Sequence, residues 1–124
     1  MSGISRIVED NNFLHPTEQL KITHPQIHDE FLRIQKEQFE LFAKKSLDYG
    51  IGNITLGGNM DKEEDLNFSI MGIWLRCNDK INRLKNLILK SKKPYVEDES
   101  IEDSFKDMAN YGVIAQILIN GKWK

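Results

Sequence analysis

Residues 70–88 read IMGIWLRCNDKINRLKNLI, and apolar side chains recur in this stretch at every third or fourth position. Such spacing predicts an amphipathic α-helix with one continuous apolar seam that is about four turns long. The helical pattern extends on both sides, so we predict a helix over about 62–91, with Asp61 and Glu64 as its capping box. The seam residues are Ile70, Trp74, Cys77, Ile81, Leu84 and Ile88.

A second long helical pattern precedes this one in the chain. It runs from about Pro25 to Leu47, and proline suits a first helical turn because its missing N–H needs no partner there. Tyr49 and Gly50 follow it, and glycine readily adopts the left-handed conformation that ends a helix. Residues 50–59 are then predicted to form a glycine-rich loop.

A third helical pattern covers residues 101–120, with Ser100 and Asp103 as its capping box. Residues 1–24 are weakly patterned, and we expect them to form an N-terminal arm beside a helical domain of residues 25–124. Three long amphipathic helices predict an all-α fold, an antiparallel helical bundle. A domain of this size buries only a modest core, so we also expect it to form oligomers.

The composition excludes several classes of function. The net charge of the 124 residues is -2, so we expect no binding to duplex nucleic acid or to anionic membranes. No apolar run approaches the roughly 20 residues that cross a bilayer. The single cysteine, Cys77, is expected to be a packing thiol, and its isolation suits a reducing cytoplasm, which is the predicted location.

Acidic and amide side chains cluster on the third helix. Asp103, Asp107 and Asn110 are spaced four and three apart, so they share one face, and Glu99 comes just before the helix. Such an oxygen-rich group suits a hard cation, and we predict Mg²⁺ with Glu99, Asp103 and Asp107 as ligands. Two other interpretations stay open, namely helix capping with a solvated surface, and ion pairing to the second helix.

Charged residues also repeat on the middle helix, away from its seam. Arg76, Asp79, Lys80 and Arg83 lie on one face at spacings of three, four and seven. If this helix is central in the bundle, the face must be paired or must meet a ligand, and the arginines suit a phosphate. The alternative is a solvated surface with intrahelical ion pairs.

A third polar group lies where the first long helix meets the loop. It contains Lys45, Asp48, Tyr49 and Asn53. A lysine near the end of a helix is favourable for any protein, whereas an aspartate there is electrostatically unfavourable. We therefore predict that this group contributes to a binding site together with the middle helix.

Five short motifs follow one another in the chain, namely Lys45–Gly50, Gly72–Arg76, Asp79–Leu84, Asp98–Asp103 and Asp107–Tyr111. Read in this order, they resemble the nucleotide modification associated domain of type 1, a small helical family of phages and bacteria. The resemblance covers residues 38–124 and implies a role in nucleotide metabolism.

The helical pattern is also similar to the all-α nucleoside triphosphate pyrophosphohydrolases of the MazG and dimeric dUTPase type. That resemblance implies a Glu-x-x-Glu pair on one helix and further acids on another, which together hold Mg²⁺. Here Glu37 and Glu40 would be the first pair, and Glu99, Asp103 and Asp107 the second group. The first pair lies earlier in the chain than that pattern has it.

These observations predict a nucleotide-binding helical domain, with Mg²⁺-dependent hydrolysis of a nucleoside triphosphate as the leading hypothesis. Glu99, Asp103 and Asp107 would be the catalytic acids. One alternative is a non-catalytic protein that sequesters a nucleotide, for instance against a defence signal, and another is a helical adaptor for a protein partner. The predicted nucleotide- and phosphate-binding residues are Lys45, Asp48, Tyr49, Asn53, Arg76, Asp79, Lys80, Arg83 and Asn110.

Overall fold

The computed structural model describes residues 13–90 and 100–124, and helices account for most of them. In chain order these helices are α1 (Pro16–Thr23), α2 (Pro25–Tyr49), α3 (Gly52–Thr55), α4 (Glu63–Leu89) and α5 (Ile101–Ile119). None of the described residues lies in a strand, so the all-α prediction is confirmed. The three-helix antiparallel bundle and the oligomeric state remain predictions. In the described ranges, no helix combines the length and apolarity needed to cross a membrane.

The chain divides after Glu40 into two units, and among the described residues only those of the second form a buried core. In residues 13–40 no side chain is buried, and the polar contacts are local, such as the pairing of Arg33 with Glu30 and Glu37. In residues 41–124 the core consists of Ile73, Ile114, Leu118 and Trp123.

Helices α4 and α5 pack against each other in opposite directions. Lys80 on α4 contacts Asp107 on α5, and Arg83, further along α4, contacts Ser104, which comes earlier on α5. The core residues come from the facing sides of the two helices, with Ile73 on α4 and Ile114 and Leu118 on α5. Trp123, which follows α5, packs on this core. Its ring lies edge-on to the ring of Phe42, at a centroid distance of 6.1 Å and an interplanar angle of 65°.

The starting point of α4 differs from the prediction. Its N-cap is Lys62, which makes no side-chain capping bond, so the predicted capping box of Asp61 and Glu64 is wrong. The preceding turn explains the difference. Asn59 Oδ1 accepts the backbone N–H of Asp61, and Asp65 accepts the backbone N–H of Asn59, so the turn holds Asp61 outside the helix.

Two segments for which no helix was predicted, the weakly patterned N-terminal arm and the glycine-rich loop, contain short helices. The N-terminal arm includes α1, and the glycine-rich loop includes α3. Gly50 has a φ of +77° between α2 and α3, as expected for a glycine that ends a helix. Trp123 Nε1 donates to the Ile51 carbonyl at 3.1 Å, and this contact fixes the start of the connection.

The apolar seam of α4 does not form one buried side. Leu84 is buried, whereas Trp74, Ile81 and Ile88 are 59%, 48% and 51% exposed. The buried side of α4 is rotated away from those three residues and carries Ser69, Ile73, Leu84 and Leu87. Cys77 lies between the two sides and is half-buried, and burial raises the pKa of its thiol.

Candidate functional site

A cavity of about 300 Å³ lies in the second unit, where α2, α3, α4 and α5 meet. Its wall combines charged, amide and aromatic side chains. The polar lining residues are Lys45, Ser46, Asn53, Arg76, Asp107 and Asn110, and the aromatic ones are Phe42, Tyr49, Tyr111 and Trp123.

Helical spacing explains how so many side chains reach one space. Lys45 and Tyr49 are one turn apart at the end of α2, and Asp107 and Tyr111 are one turn apart on α5, so each pair shares a face. The left-handed Gly50 then turns the chain so that Asn53 on α3 also lines the cavity.

Arg76 is held in place on the cavity wall by two contacts. Its Nη2 donates to the Asn53 carbonyl at 3.2 Å, and its Cζ lies 5.9 Å from the centroid of the Tyr111 ring. A cation at this distance from an aromatic ring is attracted to the ring face. The guanidinium is therefore oriented by α3 and α5 together.

Among the described residues that line this cavity, Asp107 is the only carboxylate, and two lysines pair with it. Lys45 Nζ lies 3.3 Å from Oδ1, and Lys80 Nζ lies 3.1 Å from Oδ2. The side chains of Lys80 and Asp107 are only 19% and 20% exposed, whereas that of Lys45 is 50% exposed. Among the described lining residues, Lys45 and Arg76 outnumber the one carboxylate, so the arrangement favours an anionic ligand.

Asp103 and Arg83 lie at the N-terminus of α5 and are not among the cavity's lining residues. Asp103 accepts from the Ser100 backbone N–H at 3.1 Å, and Ser100 Oγ accepts from the Asp103 N–H at 3.1 Å, which confirms the predicted capping box. The Ser100 backbone N–H and the Ser100 hydroxyl, at 2.9 Å, both donate to the Asp103 carboxylate, and these two bonds lower its pKa. Arg83 donates to the Ser100 carbonyl at 3.3 Å and to Ser104 Oγ at 2.8 Å.

The remaining predicted site residues are distributed as follows. Asp48 and Asp79 are exposed and do not line the cavity. Glu37 pairs with Arg33, and it belongs with Glu40 to the first unit. Glu99 lies outside the described residues. Over residues 13–90 and 100–124, no three His, Cys, Asp or Glu side chains are grouped to hold a metal ion.

Sequence reasoning did not predict three aromatic residues of the cavity wall, Phe42, Tyr111 and Trp123. A signal for Trp123 was present, because a lone tryptophan follows Gly121, and Gly121 ends α5 with a φ of +69°. A large aromatic side chain just beyond a helix end usually packs back on the body of a domain. Its partners could not be read from the pattern.

Residues 68–119 match the family described as Nucleotide modification associated domain 1. This result confirms the predicted resemblance over that segment, which contains most of α4 and all of α5 and contributes Arg76, Asp107, Asn110 and Tyr111 to the cavity. The predicted likeness to MazG-type pyrophosphohydrolases is not supported. Comparison of the chain with curated proteins and with solved structures gives no match.

Proposed function

We propose that the cavity binds a nucleotide or a nucleotide-derived molecule and that Arg76 and Lys45 contact its phosphate. The observation that carries this proposal is the position of Arg76, which is oriented on the wall by Asn53 and Tyr111 in a cavity that also has aromatic sides. The match of residues 68–119 to a nucleotide-associated family supports the same function.

The phosphate contact follows from the chemistry of the two cations. A guanidinium has N–H donors in a planar fork that fits phosphate oxygens, and the Asn53 carbonyl accepts from only one nitrogen of Arg76. Lys45 is half exposed at the cavity, so its flexible stem can move from Asp107 to a phosphate. When Lys45 moves, Lys80 still neutralises Asp107.

The base and sugar would occupy the opposite part of the cavity. Tyr49 is largely exposed at this wall, so its ring is available to stack on a base. Asn53 offers an amide donor and acceptor for a base edge. The Trp123 N–H donates to Ile51, so its ring supplies apolar surface.

Calorimetric titration with nucleoside mono-, di- and triphosphates tests the proposal. We expect at least one series to bind, and we expect Arg76→Gln to weaken that binding about 10–100-fold, the effect of losing charge-assisted hydrogen bonds. Arg33→Gln is the matched control, because Arg33 pairs only with nearby glutamates in residues 13–40. Circular dichroism checks that both variants fold.

Two outcomes of the titration would contradict nucleotide binding at this cavity. The first is that no nucleotide binds at any phosphate number. The second is that Arg33→Gln weakens binding as much as Arg76→Gln does. The first result would favour the adaptor hypothesis, in which the polar face meets a protein, and the second would mean that the nucleotide does not bind through Arg76.

Hydrolysis with Mg²⁺ is a separate proposal, with Glu99, Asp103 and Asp107 as ligands. In the described part of the chain the donor set does not fit the ion, because Asp103 caps α5 and Asp107 is paired with Lys45 and Lys80. The Asp107 carboxylate instead pairs with two lysines, an arrangement that suits the binding of an anion more than the binding of a metal ion.

An assay of nucleotide turnover distinguishes the hydrolase from a protein that only binds the nucleotide. Each nucleoside triphosphate is incubated with the protein and Mg²⁺, and the nucleotide products are separated by ion-exchange chromatography. Release of monophosphate, abolished by Asp107→Asn, would support the hydrolase. Recovery of the intact nucleotide, with binding unchanged by EDTA, would support a sequestering protein of phage or bacterial nucleotide metabolism.

A further inference from the structure

The exposed side of α4 carries a regular series of residues that does not take part in the cavity. Glu63, Asn67, Met71, Trp74, Asn78, Ile81, Lys85 and Ile88 follow one another at steps of three or four, so they form one stripe along the helix, which we call the open face. Its four apolar members are each about half exposed.

Four of the eight members are apolar and about half exposed, and polar residues lie among them. Single exposed apolar residues are normal, but several large apolar side chains along one side of a helix favour an interaction surface. Seven residues separate Trp74 from Ile81 and Ile81 from Ile88, which is the repeat that lets two helices lie along each other. Asn67, Ile70, Met71 and Trp74 also enclose a shallow hollow that an apolar side chain could fill.

The charges on the open face indicate what covers it. An acid, Glu63, lies in the first turn of α4, and a base, Lys85, lies more than five turns later, and both are exposed. If two copies of this stripe run antiparallel, Glu63 of each copy meets Lys85 of the other. In a parallel arrangement like charges would face each other along the stripe, which is destabilising.

We propose that the open face of α4 binds the same face of a second copy of this chain, antiparallel, about a two-fold axis near Trp74. The axis position follows from the pairing, because position 74 lies midway between 63 and 85. Such an interface is self-complementary, so one stripe supplies both sides. The two Trp74 side chains then lie at its centre, where interface aromatics usually contribute most.

The oligomeric state of the full chain, measured by sedimentation velocity without nucleotide, tests this proposal. We expect a dimer, and we expect Trp74→Glu to raise the dimer dissociation constant at least about 30-fold. Phe105→Glu is the control, because Phe105 is similarly exposed but lies on α5. That variant should remain a dimer.

Charge reversal tests the antiparallel pairing itself, at two exposed positions where folding is not at risk. Lys85→Glu should weaken the dimer about tenfold, and the double variant Glu63→Lys with Lys85→Glu should restore it. A monomeric wild-type chain, a dimer that survives Trp74→Glu, or a double variant that stays as weak as Lys85→Glu would each overturn the proposal. None of these measurements depends on nucleotide binding at the cavity.

Discussion

The two sides of α4 differ in a way that reverses the usual distribution of residues. The side toward α5 carries three long cations, Arg76, Lys80 and Arg83, each at least partly buried. The open face carries Trp74 and Ile81 in contact with solvent. The difference shows that polarity alone does not decide which side of this helix is packed.

The packed side tolerates its cations because each one has an acceptor or a ring beside it. Lys80 contacts Asp107, and Arg83 donates to Ser104, which is itself almost fully buried. Partnered charges avoid most of the cost of burial, and the aliphatic stems of lysine and arginine add apolar contact. Among the described residues, the open face has no comparable set of contacts from α5, and it is the side that we propose to meet a second copy of the chain.

The largest expected effect contrasts two leucines of α4. Leu84 is buried on the packed side and Leu75 is about half exposed, so Leu84→Ala should lower the free energy of unfolding by about 2–5 kcal/mol. Leu75→Ala should change it by no more than about 0.5 kcal/mol. Urea denaturation of both variants at one protein concentration measures the difference.

Equal losses from the two leucine variants would contradict the assignment of the packed side. A larger loss at Leu75 than at Leu84 would show that α4 is rotated about its axis relative to the structure. Leu75 would then belong to the packed side of α4 and Leu84 to its exposed side.

The second prediction concerns the charged part of the packed side. Asp107→Asn removes the carboxylate that pairs with Lys45 and Lys80. The side chain of Lys80, which is only 19% exposed, then loses this carboxylate as a partner. We expect a loss of about 1–3 kcal/mol of unfolding free energy. Asp79→Asn, on an exposed part of the same charged series, should change stability by less than about 0.5 kcal/mol.

Thermal and urea denaturation at moderate salt provide the measurement for these two aspartates. If Asp107→Asn leaves stability unchanged while Asp79→Asn lowers it, the ion pairs seen between α2, α4 and α5 do not stabilise the fold. The partly buried cations of α4 would then need another explanation.

The smallest expected effect lies at the start of α5, where Arg83 meets the capping box. Ser100→Ala should cost about 1 kcal/mol at pH 7, because Asp103 loses the hydroxyl and the cap loses its acceptor. The pKa of Asp103 is lower in the folded chain than in the unfolded chain, so its contribution is complete above the ordinary carboxyl pKa of about 3.9 and is lost as pH falls through the folded value.

Unfolding free energies of the wild type and Ser100→Ala at pH 7 and at about pH 3 check this sign. The difference between the two proteins should be larger at pH 7. A difference that grows on acidification would mean that the Asp103 carboxylate does not stabilise the cap. Asp103 would then be open to a different role.

The amino-acid pattern anticipated much of the candidate site. Lys45, Tyr49, Asn53, Arg76 and Asn110 were predicted as binding residues, and the structure brings them to one cavity. They could be predicted because each is a polar residue at helical spacing or beside a glycine that ends a helix. Whether they bind a nucleotide stays a prediction.

Two other residues, Asp103 and Asp107, were predicted to share one site, but they lie in different surroundings in the structure. Asp103 and Asp107 share a helical face, but Ser100 holds the first at the cap, whereas Lys45 and Lys80 hold the second near the cavity. Equal spacing on a helix places side chains on one face, but it does not say which neighbours reach them. Those partners come from segments far away in the chain.

By itself, the sequence determined the three long helices and the cap of α5, because apolar spacing, proline, glycine and the Ser100–Asp103 pair act over a few neighbouring residues. Only the tertiary structure decided which side of α4 is buried, and it did so through acceptors on α5. It also decided that Trp123 packs in the core beside the cavity and that α3 forms in the glycine-rich loop. Apolar residues occur on more than one side of α4, so local pattern leaves its orientation open, and contacts between distant segments select one.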